Sequence, residues 1–349
     1  MESFYLVGEP VLTNERSWNV EHRIAFGQVD LGIKILREEK DRERIRDILR
    51  TEYLGIIATL AQMEVRFRIA YAHPDHCDTE LFMACAQAFN CRGVQLSEDF
   101  HIEVTAYPRD FTLSLPGITL ISGEVAKLLV SQREGQQLLS SPFGEGGRVL
   151  PCGNTALVPS RIIKKGGGSQ AVTEEDLNPL KKTGIRIATI PPTISYAFDE
   201  NGPKLRPFFN DHLDRAGCLL LGEDERPHLV VDPNIRTIHW RGLAANPPWI
   251  PVNPKESLEK LRTTCEPLGI TVHAPRTISV PYALNLRQFP DGRVLMTEGD
   301  DDVRETVTEI VGKNKVHTTP VPIRFFPIWR GAGIGCLVTE APTAILKKQ

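Results

Sequence analysis

No stretch of this chain approaches the ~18 consecutive apolar residues that a membrane span needs, which argues against a membrane protein. The first 30 residues carry Glu, Asn and Arg throughout, so a signal-peptide hydrophobic region is lacking too. Both absences make a cytoplasmic protein the expectation. There is no basic excess, with a net charge of -3, and hence no electrostatic reason to expect a nucleic-acid partner. No Cys-x-x-Cys occurs. The seven cysteines, at 77, 85, 91, 152, 218, 265 and 336, are odd in number and scattered. That pattern suits neither a disulfide framework nor a zinc site, and reads as reduced thiols.

What is present is a soluble composition, 41% hydrophobic and 24% charged, over 349 residues, enough for one large core or two domains. One theme repeats along it. Arg148–Ile163 reads as two short strands. Thr173–Gly184 follows as a helix with a Thr cap, two glutamates in the first turn and a closing glycine, and Ile185–Ile190 alternates as a strand. The order recurs in Gly217–Val231, Pro254–Gly269 and Ile270–Ala274. It recurs again in a hairpin over Tyr282–Thr297 with the turn Pro290–Gly292, a helix over Asp301–Gly312 and a strand over Lys315–Pro320. His101–Ser122 holds a further strand pair. Near the start, Ile35–Gln62 has helical periodicity and Val65–Ala72 is its strand. The last strand, Gly335–Thr339, has no helix after it, and pairing with Phe4–Val7 and Val20–Phe26 would complete a fifth unit. Five such units closed into a ring leave only short, protected sheet edges. An ordinary mixed α/β domain is the alternative.

Four local patterns carry chemistry. Cys336 lies at the end of "RGAGIGC", and these small residues leave room for something to approach the sulfur. His212 and Asp214 form a His-x-Asp pair ahead of an apolar strand, where strand geometry would point both the same way. Arg109-Asp110 leads into a hairpin, and Glu145-Gly146-Gly147-Arg148 opens a strand pair. Taken along the chain, Arg109-Asp110, Glu145–Arg148, His212/Asp214 and then Cys336, the four resemble the motifs of the guanidino-group modifying superfamily, the penteins: arginine deiminases, agmatine deiminases, dimethylarginine hydrolases and amidinotransferases. Order and spacing agree over roughly residues 100–340. The resemblance implies an α/β propeller of five ββαβ units around a pseudo-five-fold axis. It would be a single catalytic domain over residues 1–349, with the site in its central channel. Two positions depart from the family pattern. Arg148 stands where many relatives have an acid, and Arg215 follows the His-x-Asp in place of the frequent Thr. If they faced the channel, both would make it less anionic.

A guanidinium carbon is resonance-stabilised and needs a strong nucleophile, for which a thiolate is the best side chain. The resemblance therefore assigns Cys336 as nucleophile and His212 as general acid, then base. Asp214 would orient His212 or hold substrate N–H groups. Asp110 and Glu145 would pair with the guanidinium. Arg330 and Arg161 are the candidate anchors for a substrate carboxylate. No metal or organic cofactor is required. The implied activity is hydrolysis of a guanidino or amidino small molecule. Amidino transfer to an amine is the runner-up, and a ring used only for binding is the alternative from another class. Assembly into a homo-oligomer stays open. Two other stretches look functional and are read as loops. "HPDHCD" (His73–Asp78) invites a metal but has no second ligand cluster. "KKGGG" (Lys164–Gly168) lacks the phosphate-loop pattern.

Overall fold

The structure is a computed structural model; it describes residues 5–8, 39–71, 83, 85, 87–88, 92–95, 112–122, 137–163, 169–199, 202–210, 212–241, 249–324 and 333–340. One pairing scheme occurs five times among them: a strand antiparallel to a second, which is parallel to a third. Thr112–Leu115, Ile118–Ile121 and Gln137–Ser140 form the first such sheet. Leu150–Cys152, Thr155–Pro159 and Arg186–Ile190 form another. The scheme repeats in Gly217–Leu221, Pro227–Val231 and Thr271–His273, and in Arg287–Gln288, Val294–Met296 and Val316–Thr318. In the fifth sheet Val338–Glu340 runs antiparallel to Tyr5–Gly8, which is parallel to Phe67–Tyr71. The pairing anticipated between the end of the chain and its start is thus present for Tyr5–Gly8, while Val20–Phe26 lies outside the described residues.

The physical reason for the repeat is chain connectivity. A hairpin can only make an antiparallel pair, and a parallel pair needs a crossover. Four crossovers are helices: α1 (Glu39–Gln62), α2 (Glu174–Lys182), α3 (Pro254–Cys265) and α4 (Asp301–Val311). The crossover before Gln137 lies outside the described residues. The helix ends follow the sequence signals. Thr173 and Asp176 make a reciprocal capping box on α2, with Glu174 and Glu175 in its first turn and Lys181 and Lys182 in its last. Asn253 caps α3 ahead of Pro254, and Asp300 caps α4. Along α1, Leu49, Tyr53, Ile56, Ile57 and Leu60 recur at helical spacing and are buried. They join one core cluster with Ile334, Leu337 and Val338 from the far end of the chain.

Two local expectations are corrected. Gly335–Thr339 is not one strand: a single helical turn, α5 (Ile334–Leu337), carries Cys336, and the strand starts at Val338. His212 and Asp214 are not on a strand either. His212 precedes a 3-10 turn, Leu213–Arg215, and the strand begins at Gly217. The sequence pattern also left unmarked a separate antiparallel sheet. It contains Thr193–Asp199, Gly202–Asn210, Arg236–Trp240 and Trp249–Pro251. Among the described residues no helix is long and apolar enough to cross a membrane.

Candidate active site

Four short segments converge, each pinned by its own apolar anchors. Ile334 and Leu337 fix the Cys336 turn in the α1 core. Leu213 and Ala216 fix the His212–Asp214 turn in the cluster of Leu150, Leu157 and Leu219. Phe143 and Val149 bracket the Glu145 loop in a third cluster. Ala283, Leu284 and Leu286 flank Asn285 in a fourth. Each buried Leu or Ile contributes about 1.5–3 kcal/mol by leaving water. The polar groups between these anchors are therefore held by hydrophobic contacts that they do not make themselves.

The polar groups form one chain of contacts. The Cys336 Sγ–H donates to Asp214 Oδ2 at 3.2 Å. Asp214 Oδ1 lies 3.8 Å from His212 Nδ1. His212 Nε2 makes a hydrogen bond with Glu145 Oε2. Cys336 and Asp214 are almost fully buried, at 2% and 1% exposure, and His212 is at 7%. Glu145 is the open end, its side chain 49% exposed. The hydrogen bond from His212 is the main reason its carboxyl falls to about 2; burial opposes this, and the charges of His212, Arg148 and Arg215 add to the lowering. Glu145 is therefore an anion at neutral pH.

Glycine at 147 is required by close approach. A Cβ there would lie 2.5 Å from His212 Nδ1 and 2.9 Å from Asp214 Oδ1. The turn Gly146–Arg148 packs against the turn Leu213–Arg215, so the second glycine of the Glu-Gly-Gly motif is a floor under the His-x-Asp. Among the small residues before Cys336, Gly333 has a different use from the one anticipated. A Cβ on Gly333 would meet Asn285 Cβ at 2.6 Å. The space beside the cysteine turn is filled by Asn285.

Asn285 is the residue that sequence reasoning missed. Its Oδ1 accepts from Cys336 N at 3.0 Å, and its Nδ2 donates to Cys336 Sγ at 3.2 Å and to the Asp214 carbonyl at 3.1 Å. The available signal was an Asn between apolar residues in "YALNLRQF", since a buried polar side chain needs partners.

The other expected site residues are placed as follows. Arg148 donates from Nη1 to the Phe143 carbonyl at 2.8 Å, and Arg215 stacks over the Tyr282 ring at 5.5 Å. Arg161 bonds Ser169 Oγ at 2.9 Å and lines a pocket with Lys260 and Thr264, none of which lines the cavity that Asp214 reaches. Asp110 and Arg330 lie outside the described residues, as do His73–Asp78 and Lys164–Gly168. Among the described residues no group of three or more His, Cys, Asp or Glu could hold a metal ion.

No family model matches the chain, and no curated protein sequence matches it. Solved structures do. The substrate-bound N-terminal domain of ArgZ, an arginine dihydrolase of cyanobacteria, is 12% identical; the match covers 97% of this chain and 98% of that one, with a TM-score of 0.51. Agmatine deiminase of C. jejuni is 11% identical over 97% of this chain and 93% of its own, also with a TM-score of 0.51. The chain has the pentein fold. SxtG, an amidinotransferase from Microseira wollei, matches at 11% identity over 97% and 93%, with a TM-score of 0.49. At these identities the pentein likeness speaks for the fold, and the chemistry has to be argued from the site.

Proposed function

We propose that the chain is a thiol-dependent hydrolase of a guanidino or amidino small molecule, with a covalent intermediate on Cys336. The observation that carries this is the contact chain Cys336–Asp214–His212–Glu145, which gathers a thiol, an imidazole and two carboxylates from three distant segments. The neighbours in fold include an arginine dihydrolase and an agmatine deiminase, which supports a guanidino substrate.

In this reading a guanidinium enters past Glu145, the exposed anion, and pairs with Asp214 and Asp110. Its N–H groups take the place of the Cys336 thiol on Asp214, and the thiol proton passes to His212, leaving a thiolate and an imidazolium. The thiolate attacks the guanidinium carbon, and the C–N bond to the leaving amine breaks as His212 gives that nitrogen a proton. His212 then accepts a proton from water, whose oxygen attacks the amidino carbon. The C–S bond breaks, and the ureido product and the Cys336 thiolate are released. Glu145 stabilises the imidazolium form of His212 through their hydrogen bond. With Arg161 on a different pocket, Arg330 is the preferred anchor for a substrate carboxylate. Arg148 and Arg215 act on Glu145 by charge while being held by Phe143 and Tyr282.

We also read the five sheets as five units around a pseudo-five-fold axis in one domain spanning 1–349. Support comes from a cavity of about 500 Å³ lined from all five sheets, by Glu340, Leu115, Cys152, Leu219 and Gln288 among others, with Asp214 on its wall.

A screen of guanidino compounds for release of ammonia, urea or an amine tests the function. Transfer to an amine uses the same residues, so reaction in oxygen-18 water separates the two. Hydrolysis puts the label into the ureido or urea product. Product that forms only with an added amine, and never carries the label, would overturn the hydrolase reading.

A further inference from the structure

Asn285 is 2% exposed and comes from neither the cysteine turn nor the His-x-Asp turn, yet it bonds both. A carboxamide has one acceptor oxygen and two N–H donors. Here the oxygen takes Cys336 N–H, one nitrogen donor faces the Asp214 carbonyl and the other faces Cys336 Sγ. The backbone carbonyl of Asn285 also accepts from Gly335 N at 2.9 Å. The amide orientation is fixed by its partners. Turned over, it would set an oxygen against the Asp214 carbonyl and N–H groups against Cys336 N–H.

The sulfur therefore has two opposed neighbours. Asp214 Oδ2 is an acceptor and needs the S–H proton; Asn285 Nδ2 is a donor and is served best by a sulfur carrying charge. When a cationic substrate occupies Asp214, the proton loses this acceptor and the donor remains. Gly333 keeps the donor in place, because any side chain there would collide with Asn285.

We infer that Asn285 is the positioning residue of the nucleophile, holding the backbone beneath Cys336 and donating to its sulfur so that the thiolate form is favoured. This rests on the reading of Cys336 as the nucleophile. It predicts that Asn285 acts on the ionisation of Cys336 even when no substrate turns over.

The test measures that ionisation on the full chain. Alkylation of the Cys336 peptide by iodoacetamide, followed by mass spectrometry across pH, gives the midpoint of thiolate formation. Asn285→Ala removes the donor without adding charge. Asn285→Asp keeps an oxygen for Cys336 N–H, removes the donor and adds charge. Midpoints are expected to rise in the order wild type, Ala, Asp. A rise of about one unit or more makes alkylation near neutral pH about tenfold slower or more. A folded Asn285→Ala with the wild-type midpoint overturns the inference. Should neither variant fold, the wild-type protein decides. With asparagine nitrogen-15 labelled, a side-chain amide should shift in NMR spectra as Cys336 ionises, and that shift should be lost in Cys336→Ser. If no asparagine amide follows the titration, the inference falls. The two proposals fail separately: no turnover of any guanidino compound with an Asn285-dependent midpoint removes the reaction and leaves Asn285 its role. Turnover with an unchanged midpoint does the reverse.

Discussion

Asp214 Oδ2 accepts the thiol of Cys336 at 3.2 Å across 122 residues of sequence, and both side chains are almost fully buried. A buried carboxyl group holding a buried thiol ties the proposed nucleophile to the group that a cationic substrate would claim. Replacing Cys336 with Ser should lower turnover at least about a thousandfold, because a hydroxyl has no comparable anion near neutral pH. Circular dichroism should show the fold intact, and labelled substrate should still bind. Turnover near the wild-type rate in Cys336→Ser would remove the thiol from the mechanism.

Gly147→Ala is the sharper structural test. The added methyl would sit 2.5 Å from His212 Nδ1 and must move either the imidazole or the turn beneath it. Overpacking of this kind costs about 1–3 kcal/mol of stability. A displacement near 1 Å in a catalytic group costs about a hundredfold in rate. The expected result is a folded variant with kcat reduced far more than substrate affinity. Unchanged kcat would mean that His212 and Asp214 need not keep their present approach.

Glu145 gives a pH signature. Its carboxyl is lowered to about 2 from 4.5, chiefly by the His212 hydrogen bond, so the bond stabilises the fold fully above 4.5. That contribution is lost as pH falls from 4.5 towards 2. Thermal midpoints of wild type and Glu145→Gln should therefore differ most above about pH 5 and converge on acidification. The difference should be small, because a side chain 49% exposed is screened by solvent. A gap that widens on acidification would contradict the assignment.

Thiol labelling should be selective. Burial pushes the Cys152 thiol up to about 12 and that of Cys265 to about 11, so neither forms appreciable thiolate near neutral pH. Peptide mapping after brief alkylation should show Cys336 labelled ahead of both. Cys152→Ala should keep at least partial activity, losing stability from a lost sulfur contact and no chemistry. Inactivation by Cys152→Ala in a folded protein would move the nucleophile.

The amino-acid sequence by itself determined the alternation of hairpins and helices, because period-2 and period-3.6 apolar patterns, Thr173, Asn253 and Asp300 caps, and turn glycines act over a few residues. It also marked Cys336, His212, Asp214 and Glu145, which the structure brings into one chain of contacts. Tertiary structure alone decided the rest. Whether Gly333 made room for a ligand or a neighbour depended on Asn285, 48 residues away in sequence. The helical turn at Cys336 replaced the expected strand because Asn285 supplies partners to Gly335 N and Cys336 N that a sheet would otherwise provide. The role of Gly147 depended on how closely two turns from separate core clusters pack, and Glu145 met His212 only because each is anchored by apolar residues of its own. Local patterns fix elements through backbone geometry; contacts between elements follow from burial summed over the whole chain, which no short window contains.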